Sequence, residues 1–213
     1  MTQADQESEP VYTLSKGALS ILKVAEQLFA DKGFDAVSIN DIAQRADVSK
    51  ANIFHHFKSK EGLYMVVLKS ACEHSAQALD EVESTLSDGP RAQLDSFFSQ
   101  HLQALLTHPQ STRLIQRELL EGGSERGRQL AKEVFSVHFS RLVGLVREGQ
   151  SQNMLCKNFD AALLALLLIG ANVFFFETRS VLKHLPEIDF AESPDRYSSA
   201  VFELLSHGFE KTC

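Results

Sequence analysis

Two adjacent histidines, His55 and His56, stand between Phe54 and Phe57 in the stretch SKANIFHHF. Imidazole nitrogens can bind a metal ion or transfer a proton, and they can also donate hydrogen bonds to another molecule. Consecutive residues of a helix point about 100° apart, so adjacent histidines do not easily chelate one metal ion. The neighbouring sequence offers no third ligand at a suitable spacing and no nucleophile paired with either histidine. We therefore predict no metal site and no catalytic site here.

The rest of the chain also lacks the sequence signatures of common enzymes. It contains no G-x-S-x-G, no P-loop, no H-E-x-x-H and no G-x-G-x-x-G after a strand. We therefore expect no catalytic residue and no cofactor. Three widely spaced cysteines, Cys72, Cys156 and Cys213, form no C-x-x-C pair. The sequence near the N-terminus also lacks an apolar signal-peptide segment. We therefore predict that the cysteines are reduced thiols and that the protein is cytoplasmic.

The histidines belong to a pair of short helices with clear start signals. Ser38 is a predicted N-cap for a helix over 39–46, and Ser49 is a predicted N-cap for a helix over 50–57. In the second helix Ile53 and Phe57 are four residues apart and should point inward. Two short helices joined by a turn of three or four residues, the second with polar and basic residues outward, indicate a helix-turn-helix.

The charge distribution agrees with a surface that binds phosphate. The chain as a whole carries a formal charge of −7. Between residues 44 and 60, however, Arg45, Lys50, Lys58 and Lys60 are opposed only by Asp47. A basic stretch on an acidic protein predicts a local nucleic-acid contact, although a chance fluctuation of a few charges would look the same.

The stretch from about Ile21 to Leu68 resembles the DNA-binding domain of the TetR family of bacterial transcriptional regulators. The resemblance rests on motifs in the same order and spacing: phenylalanine near a helix end followed by KGF, Ser-x-x-x-Ile-Ala-x-x-Ala, Val-Ser, aromatic-x-His-Phe and Lys-x-Lys-Glu-x-Leu. Many relatives have glycine where this chain has Asp47, and threonine and tyrosine where it has Asn52 and Phe54. Phe54 lacks the phenolic hydroxyl that such relatives use on DNA, so contacts there must differ.

The helix-turn-helix pattern and the resemblance together give a set of candidate DNA contacts. The predicted groove-facing residues of the second helix, followed by the predicted phosphate contacts, are Lys50, Ala51, Asn52, Phe54, His55, Ser38, Ser49, His56 and Lys60. Phe54 has the alternative of being partly core. One such helix covers only a few base pairs, so we expect a homodimer on a palindrome in double-stranded DNA.

The whole chain is predicted to be all-α, with three parts. We expect a disordered acidic tail over 1–13, a three-helix helix-turn-helix DNA-binding domain over 14–60, and a helical effector-binding and dimerisation domain over 61–213. The uncharged run Ala161–Phe176 is shorter than the roughly 20 residues that span a bilayer, so we expect no membrane segment. With Tyr197, Val201, Leu204 and Leu205 it predicts an intersubunit four-helix bundle. The alternative is a central helix covered entirely within one subunit.

The resemblance also implies a small-molecule pocket in the C-terminal part. The candidate effector-binding residues are Phe97, His101, Arg113, Arg117, Glu118, His138, Asn172 and Phe175. Further candidates for walls or polar anchors are Phe98, Leu105, Gln116, Phe135, Phe139, Phe174, Glu177 and Arg179. Fifteen phenylalanines and no tryptophan favour an apolar or aromatic effector, but aromatic residues at helical spacing are more often part of a core than of a pocket.

The predicted function is a ligand-responsive dimeric transcriptional regulator, most simply a repressor that its effector releases from the operator. Two alternatives come from other classes: an enzyme, or a helical adaptor whose N-terminal domain contacts protein rather than DNA. Cys72 is either a thiol sensor or an idle buried thiol.

Overall fold

The computed structural model describes residues 15–84 and 89–209. The predicted tail at 1–13 lies outside these residues. Within them the helices are α1 Lys16–Lys32, α2 Ile39–Arg45, α3 Lys50–Phe57, α4 Lys60–Ser84, α5 Gly89–Thr107, α6 Pro109–Glu121, α7 Gly123–Leu130, a π-helical segment Ala131–Phe135, α8 Ser136–Ser151, α9 Ala161–Leu182 and α10 Pro194–Phe209. None of the described residues forms a strand. The all-α prediction is confirmed.

The chain divides after Val66 into two compact units. We call the described residues up to Val66 the N-terminal unit and those from Val67 onward the C-terminal unit. Helix α4 contributes residues to both.

The N-terminal unit is built around the apolar stripe of α1. Ile21 and Phe29 in this stripe are fully buried. The Phe29 ring packs edge-on against Tyr64 at the start of α4, with 4.8 Å between ring centroids. Ile42 of α2 and Ile53 of α3 complete the core with no exposed surface. This packing fixes the orientation of α3, whose other face is left to solvent.

The predicted N-caps Ser38 and Ser49 match the structure. Gly33 ends α1 with φ +80°, and its N–H donates to the Phe29 carbonyl. Ser38 caps α2 in a reciprocal capping box with Asp41, and Ser49 caps α3 by accepting from the Asn52 N–H at 3.2 Å. Asp47, in the turn where many relatives have glycine, has φ +52°, a conformation that aspartate tolerates better than most residues.

The C-terminal unit contains an apolar cluster formed by α4, α5, α8, α9 and α10. Phe98 of α5 and Phe202 of α10 lie at its centre, each at most 1% exposed. Between α7 and α8 the chain forms the π-helical segment Ala131–Phe135. A π-helical turn depends on how the helix packs against its neighbours, and sequence periodicity carries no signal for it.

Helix α9 is longer than the uncharged run and only partly covered by the rest of the chain. It continues six residues past the uncharged run to Leu182, and at 22 residues it is long and apolar enough to cross a membrane by length and composition alone, a test that a core helix also passes. Only 33% of its apolar window is buried inside the chain, which contradicts the alternative of a helix covered within one subunit. Its buried face includes Leu164 and Leu168, while Leu163, Leu167 and Phe174 are exposed.

The cysteines also depart from prediction. Cys72 is a free thiol and is buried, as expected. Cys156 is disulfide-bonded and only 2% exposed, so the prediction of a reduced thiol is wrong there. Disulfide formation depends on the spatial approach of two sulfurs, and the linear spacing of cysteines does not show it.

Candidate nucleic-acid interface and effector cavity

Helix α3 exposes the residues predicted to face DNA. Lys50, Ala51, Asn52, Phe54 and His55 are all exposed. Phe54 retains 45% of its surface in water, so it is not a core residue. A basic helix with an exposed aromatic side chain has both the charge and the apolar surface that a major-groove contact requires.

The two histidine rings of α3 are steeply inclined to each other. Their ring centroids are 5.2 Å apart and the rings are inclined at 73°. His55 is exposed and His56 is half-buried. Within the described residues, no group of three or more His, Cys, Asp or Glu side chains is arranged to hold a metal ion.

Three further predicted contacts lie at helix N-termini of the same unit. Ser38 and Ser49 are exposed at the starts of α2 and α3, and Lys60 is the first residue of α4. Helix N-termini present free N–H groups and a partial positive charge, both of which favour phosphate. The Ser38 hydroxyl donates to Asp41 at 2.6 Å, and this hydrogen bond lowers the pKa of Asp41.

The loop between α3 and α4 has a defined geometry. Lys58 follows α3 with φ +68°, and its Nζ donates to the His55 carbonyl at 3.2 Å. The Ser59 hydroxyl accepts from the Gly62 N–H at 3.0 Å and so caps α4. The pKa of Glu61 is lowered by hydrogen bonds to its own N–H and to Ser59.

The C-terminal unit contains a cavity of about 470 Å³, which falls within the roughly 300–1,000 Å³ typical of small-molecule sites. Its wall is mainly apolar. Of the predicted effector-binding residues, Phe97, His101 and His138 line it. Among the further candidates, Leu105, Gln116, Phe135 and Phe139 do so as well.

Two predicted arginines do not line this cavity. Arg113 lines a separate polar recess together with Glu177 and Arg179. Arg117 lies 4.0 Å from Glu121, one turn further along α6.

The other three predicted effector residues are engaged within the protein. Glu118 is buried and pairs with Arg126 at 3.0 Å. Asn172 is not among the residues that line the cavity. Its Nδ2 donates to the Phe98 carbonyl at 2.8 Å and lies 3.2 Å from Nδ1 of His101. Phe175 stacks on Tyr197 with ring centroids 4.0 Å apart.

The cavity wall also contains polar residues that the sequence does not indicate. His74 of α4 and His108, just before α6, stack with centroids 4.1 Å apart and planes 5° from parallel. His74 Nδ1 lies 3.1 Å from the Ser111 hydroxyl. These residues are far apart in the sequence and share no motif, so only the packing of α4 against α5 and α6 reveals them.

Burial determines the protonation of two groups in the wall. Desolvation lowers the pKa of His101 to about 4, so the ring is neutral at pH 7. Burial, with a smaller contribution from Glu73, raises the pKa of the Cys72 thiol to about 11. The thiol therefore stays protonated at neutral pH, and a thiolate-based sensor is not favoured at this position.

Both parts of the chain match models of known protein families. Residues 21–66 match the family model described as "Bacterial regulatory proteins, tetR family". Residues 90–201, more than half of the chain, match the model described as "Tetracyclin repressor-like, C-terminal domain".

Individual relatives match only parts of the chain, at about 30% identity. The HTH-type transcriptional regulator RutR of Escherichia coli is 31% identical over 103 residues, which are 48% of this chain and 48% of RutR. The HTH-type transcriptional activator FasR of Mycolicibacterium smegmatis is 33% identical over 81 residues, 37% of each chain. The chain thus spans about half the length of RutR and just over a third of FasR. A bacterial regulatory protein in the tetR family from Rhodococcus RHA1 has the same fold, with a TM-score of 0.72 at 18% identity over 94% of this chain and 100% of that one.

Proposed function

Because the chain belongs to the TetR family of bacterial regulatory proteins, we propose that it is a dimeric, ligand-responsive regulator that binds double-stranded DNA and controls transcription. Its simplest form is a repressor that a small, mainly apolar effector releases from a palindromic operator. One relative is named an activator, so a reporter assay with the natural promoter is the test of the direction of regulation.

The observation that carries the proposal is the division of α3 into two faces. Ile53 and Phe57 are buried at 0% and 5% exposure, and they anchor α3 to the rest of the unit. Lys50 and Asn52 are exposed, and these are side chains that can donate to guanine or pair with adenine. With Lys60 on the phosphate backbone, the unit can contact both base edges and phosphates.

The exposed face of α9 supports the dimer. Leu163, Leu167 and Phe174 are 51%, 47% and 66% exposed and recur at helical spacing. On α10, Leu204 is 75% exposed. An apolar stripe on two neighbouring helices of one chain is typical of a surface that a second copy covers. Two recognition helices about 34–36 Å apart would then meet successive turns of the major groove.

Helix α4 supports ligand response. Its first residue is Lys60, a proposed phosphate contact, and further along it Cys72 and His74 line the cavity. A ligand that binds one position of α4 better than another would bias the position of Lys60 and so change DNA affinity. Such coupling free energies are typically about 1–3 kcal/mol.

Titration of duplex DNA at several salt concentrations tests the proposal against a protein adaptor. A DNA-binding regulator should bind random duplexes weakly, with an affinity that falls steeply as salt rises, because bound counterions are released. An adaptor should show no such binding. Salt-independent or undetectable binding at low salt would contradict the proposal.

A further inference from the structure

We propose that the cavity of the C-terminal unit binds an uncharged, mainly apolar molecule carrying a primary carboxamide or an equivalent donor–acceptor group, and that Gln116 and His138 hold that group. This inference rests on the proposed function in one respect, because it takes the cavity as the effector site. It adds the chemical class of the ligand and the residues that select it.

The wall offers an ionic ligand no fixed counter-charge. None of the described residues that line the cavity is Asp, Glu, Lys or Arg. His101 is also neutral at pH 7 because of its burial. A carboxylate or an ammonium group would lose its hydration here without meeting a carboxylate, lysine or arginine, and the burial of an unpaired charge is strongly unfavourable.

Gln116 has unused hydrogen-bonding capacity. Both its Oε1 and its Nε2 are withdrawn from water and have no hydrogen-bond partner. Leaving a buried amide unpaired is unfavourable, so a ligand that satisfies both atoms regains that free energy. A carboxamide does this with a pair of bonds: its N–H donates to Oε1 and its carbonyl accepts from Nε2. The glutamine side chain has three rotatable bonds, so it can turn to the ligand without backbone movement.

His138 adds a second unpaired atom of defined character. Its Nε2 lies 3.4 Å from Oε1 of Glu73, so in the neutral ring Nε2 carries the proton and donates to that carboxylate. Nδ1 is then an acceptor, and it is buried without a partner. A primary carboxamide has a second N–H, which Nδ1 can accept. Together the two residues match the two donors and the acceptor of one such group.

Several other polar side chains of the wall already have hydrogen-bond partners. The Ser75 hydroxyl donates to the Cys72 carbonyl at 3.0 Å. The Thr112 hydroxyl lies within hydrogen-bond distance of the Leu105 and His108 carbonyls, and His74 lies within hydrogen-bond distance of Ser111. Gln116 and His138 are the described wall residues with buried polar atoms that lack a partner.

Four probes with one alkyl chain and different head groups test the ligand class. Decanamide, 1-decanol, decanoate and decylamine are each titrated at pH 7 against the full-length protein loaded with N-phenyl-1-naphthylamine, an apolar dye whose fluorescence falls on displacement. DNA is absent, so the outcome does not depend on operator binding. Decanamide should bind at least about tenfold more tightly than decanoate or decylamine, because a charged head group is not compensated here.

Two matched variants test the residue assignment. Gln116→Met keeps the length of the side chain and removes both hydrogen-bonding atoms. It should lower decanamide affinity about three- to tenfold, leave dye affinity unchanged, and leave the thermal stability of the unliganded protein unchanged or higher. Gln100→Met is the control: Gln100 also has an unpaired buried oxygen, but it does not line the cavity, and the variant should keep the decanamide preference.

The preference for decanamide, lost in Gln116→Met and kept in Gln100→Met, would support the proposal. Equal affinity for all four probes, a preference for a charged probe, no displacement by any probe, or an unchanged preference in Gln116→Met would overturn it. Loss of DNA binding in a separate titration would contradict the proposed function and leave this result standing.

Discussion

The Lys60 ammonium lies 4.2 Å from the centroid of the Phe34 ring. The ring face attracts the cation, and the Phe34 ring is itself held by Tyr64, with centroids 4.8 Å apart. The charge at the start of α4 is therefore positioned before any DNA arrives. A preorganised side chain loses less conformational entropy on binding than a freely rotating lysine does.

Replacing Lys60 by alanine should weaken binding to all duplexes by a similar factor. We expect DNA affinity to fall by about 1.5 kcal/mol per subunit, the lower end for a hydrogen bond to a charged group. The salt slope should decrease by about 0.9 for each phosphate that the variant no longer neutralises. Fluorescence anisotropy on an operator and on a random duplex, over a range of salt concentrations, measures both quantities.

Lys157→Ala is the matched control for this experiment. Lys157 is an exposed lysine in the loop before α9, outside the proposed DNA surface, so its removal should leave both affinities unchanged. Unaltered DNA affinity in Lys60→Ala, or an equal reduction in Lys157→Ala, would refute the phosphate contact.

Replacing Lys50 by alanine should have a different signature. Because Lys50 begins α3 and is exposed, we expect it to contact a base edge. Its removal should reduce discrimination against a substituted base pair by about 1–3 kcal/mol. Affinities for an operator and for its single-base variants measure this. A reduction of equal size on every sequence would assign Lys50 to the backbone instead.

A charge on the exposed face of α9 should separate the subunits. Phe174→Glu places a carboxylate in the proposed dimer contact, where it would be buried without a partner. Sedimentation velocity should then show a monomer, and operator affinity should fall. Leu120→Glu is the control, since Leu120 is 86% exposed on α6 and should leave the dimer intact. A Phe174→Glu protein that remains dimeric would rule out this face as the interface.

His101 should make the protein less stable in acid. Its pKa is about 4 in the folded protein against 6.5 ordinarily, so between these pH values the unfolded chain binds more protons. The free energy of unfolding therefore rises with pH across this window and falls as the pH is lowered, by about 3 kcal/mol in total for this group.

Urea unfolding at pH 7 and pH 4.5 measures that decrease. His101→Gln cannot titrate, and its side-chain oxygen can still accept from Asn172. The variant should lose less stability than the wild type on acidification. If the free energy of unfolding falls equally in the two proteins, burial does not lower the pKa of His101.

The helix-turn-helix could be predicted because its signals are local. Ser38 and Ser49 mark helix starts through hydrogen bonds within a few residues. Ile53 and Phe57 mark the buried face of α3 through their spacing. Each signal is read within one turn of helix, so no knowledge of the tertiary structure is needed.

The cavity could be predicted only in part. Aromatic composition indicates Phe97 and His101, but the stacking of His74 on His108 depends on how α4 packs against the following helices. Arg117 and Glu118 have the chemistry of ligand anchors, yet they lie near Glu121 and Arg126 within the protein. A charged residue that pairs with another residue of the protein and one that faces a ligand look the same in the sequence.

Selection of bound duplexes from a random pool is the sharpest test of operator recognition by a dimer. We predict a palindrome whose half-sites are centred about 10–10.5 base pairs, or one helical turn, apart. Phe174→Glu protein, as a monomer, should recover single half-sites at most. Recovery of no preferred duplex by the wild-type protein at low salt would contradict sequence-specific DNA binding by this chain.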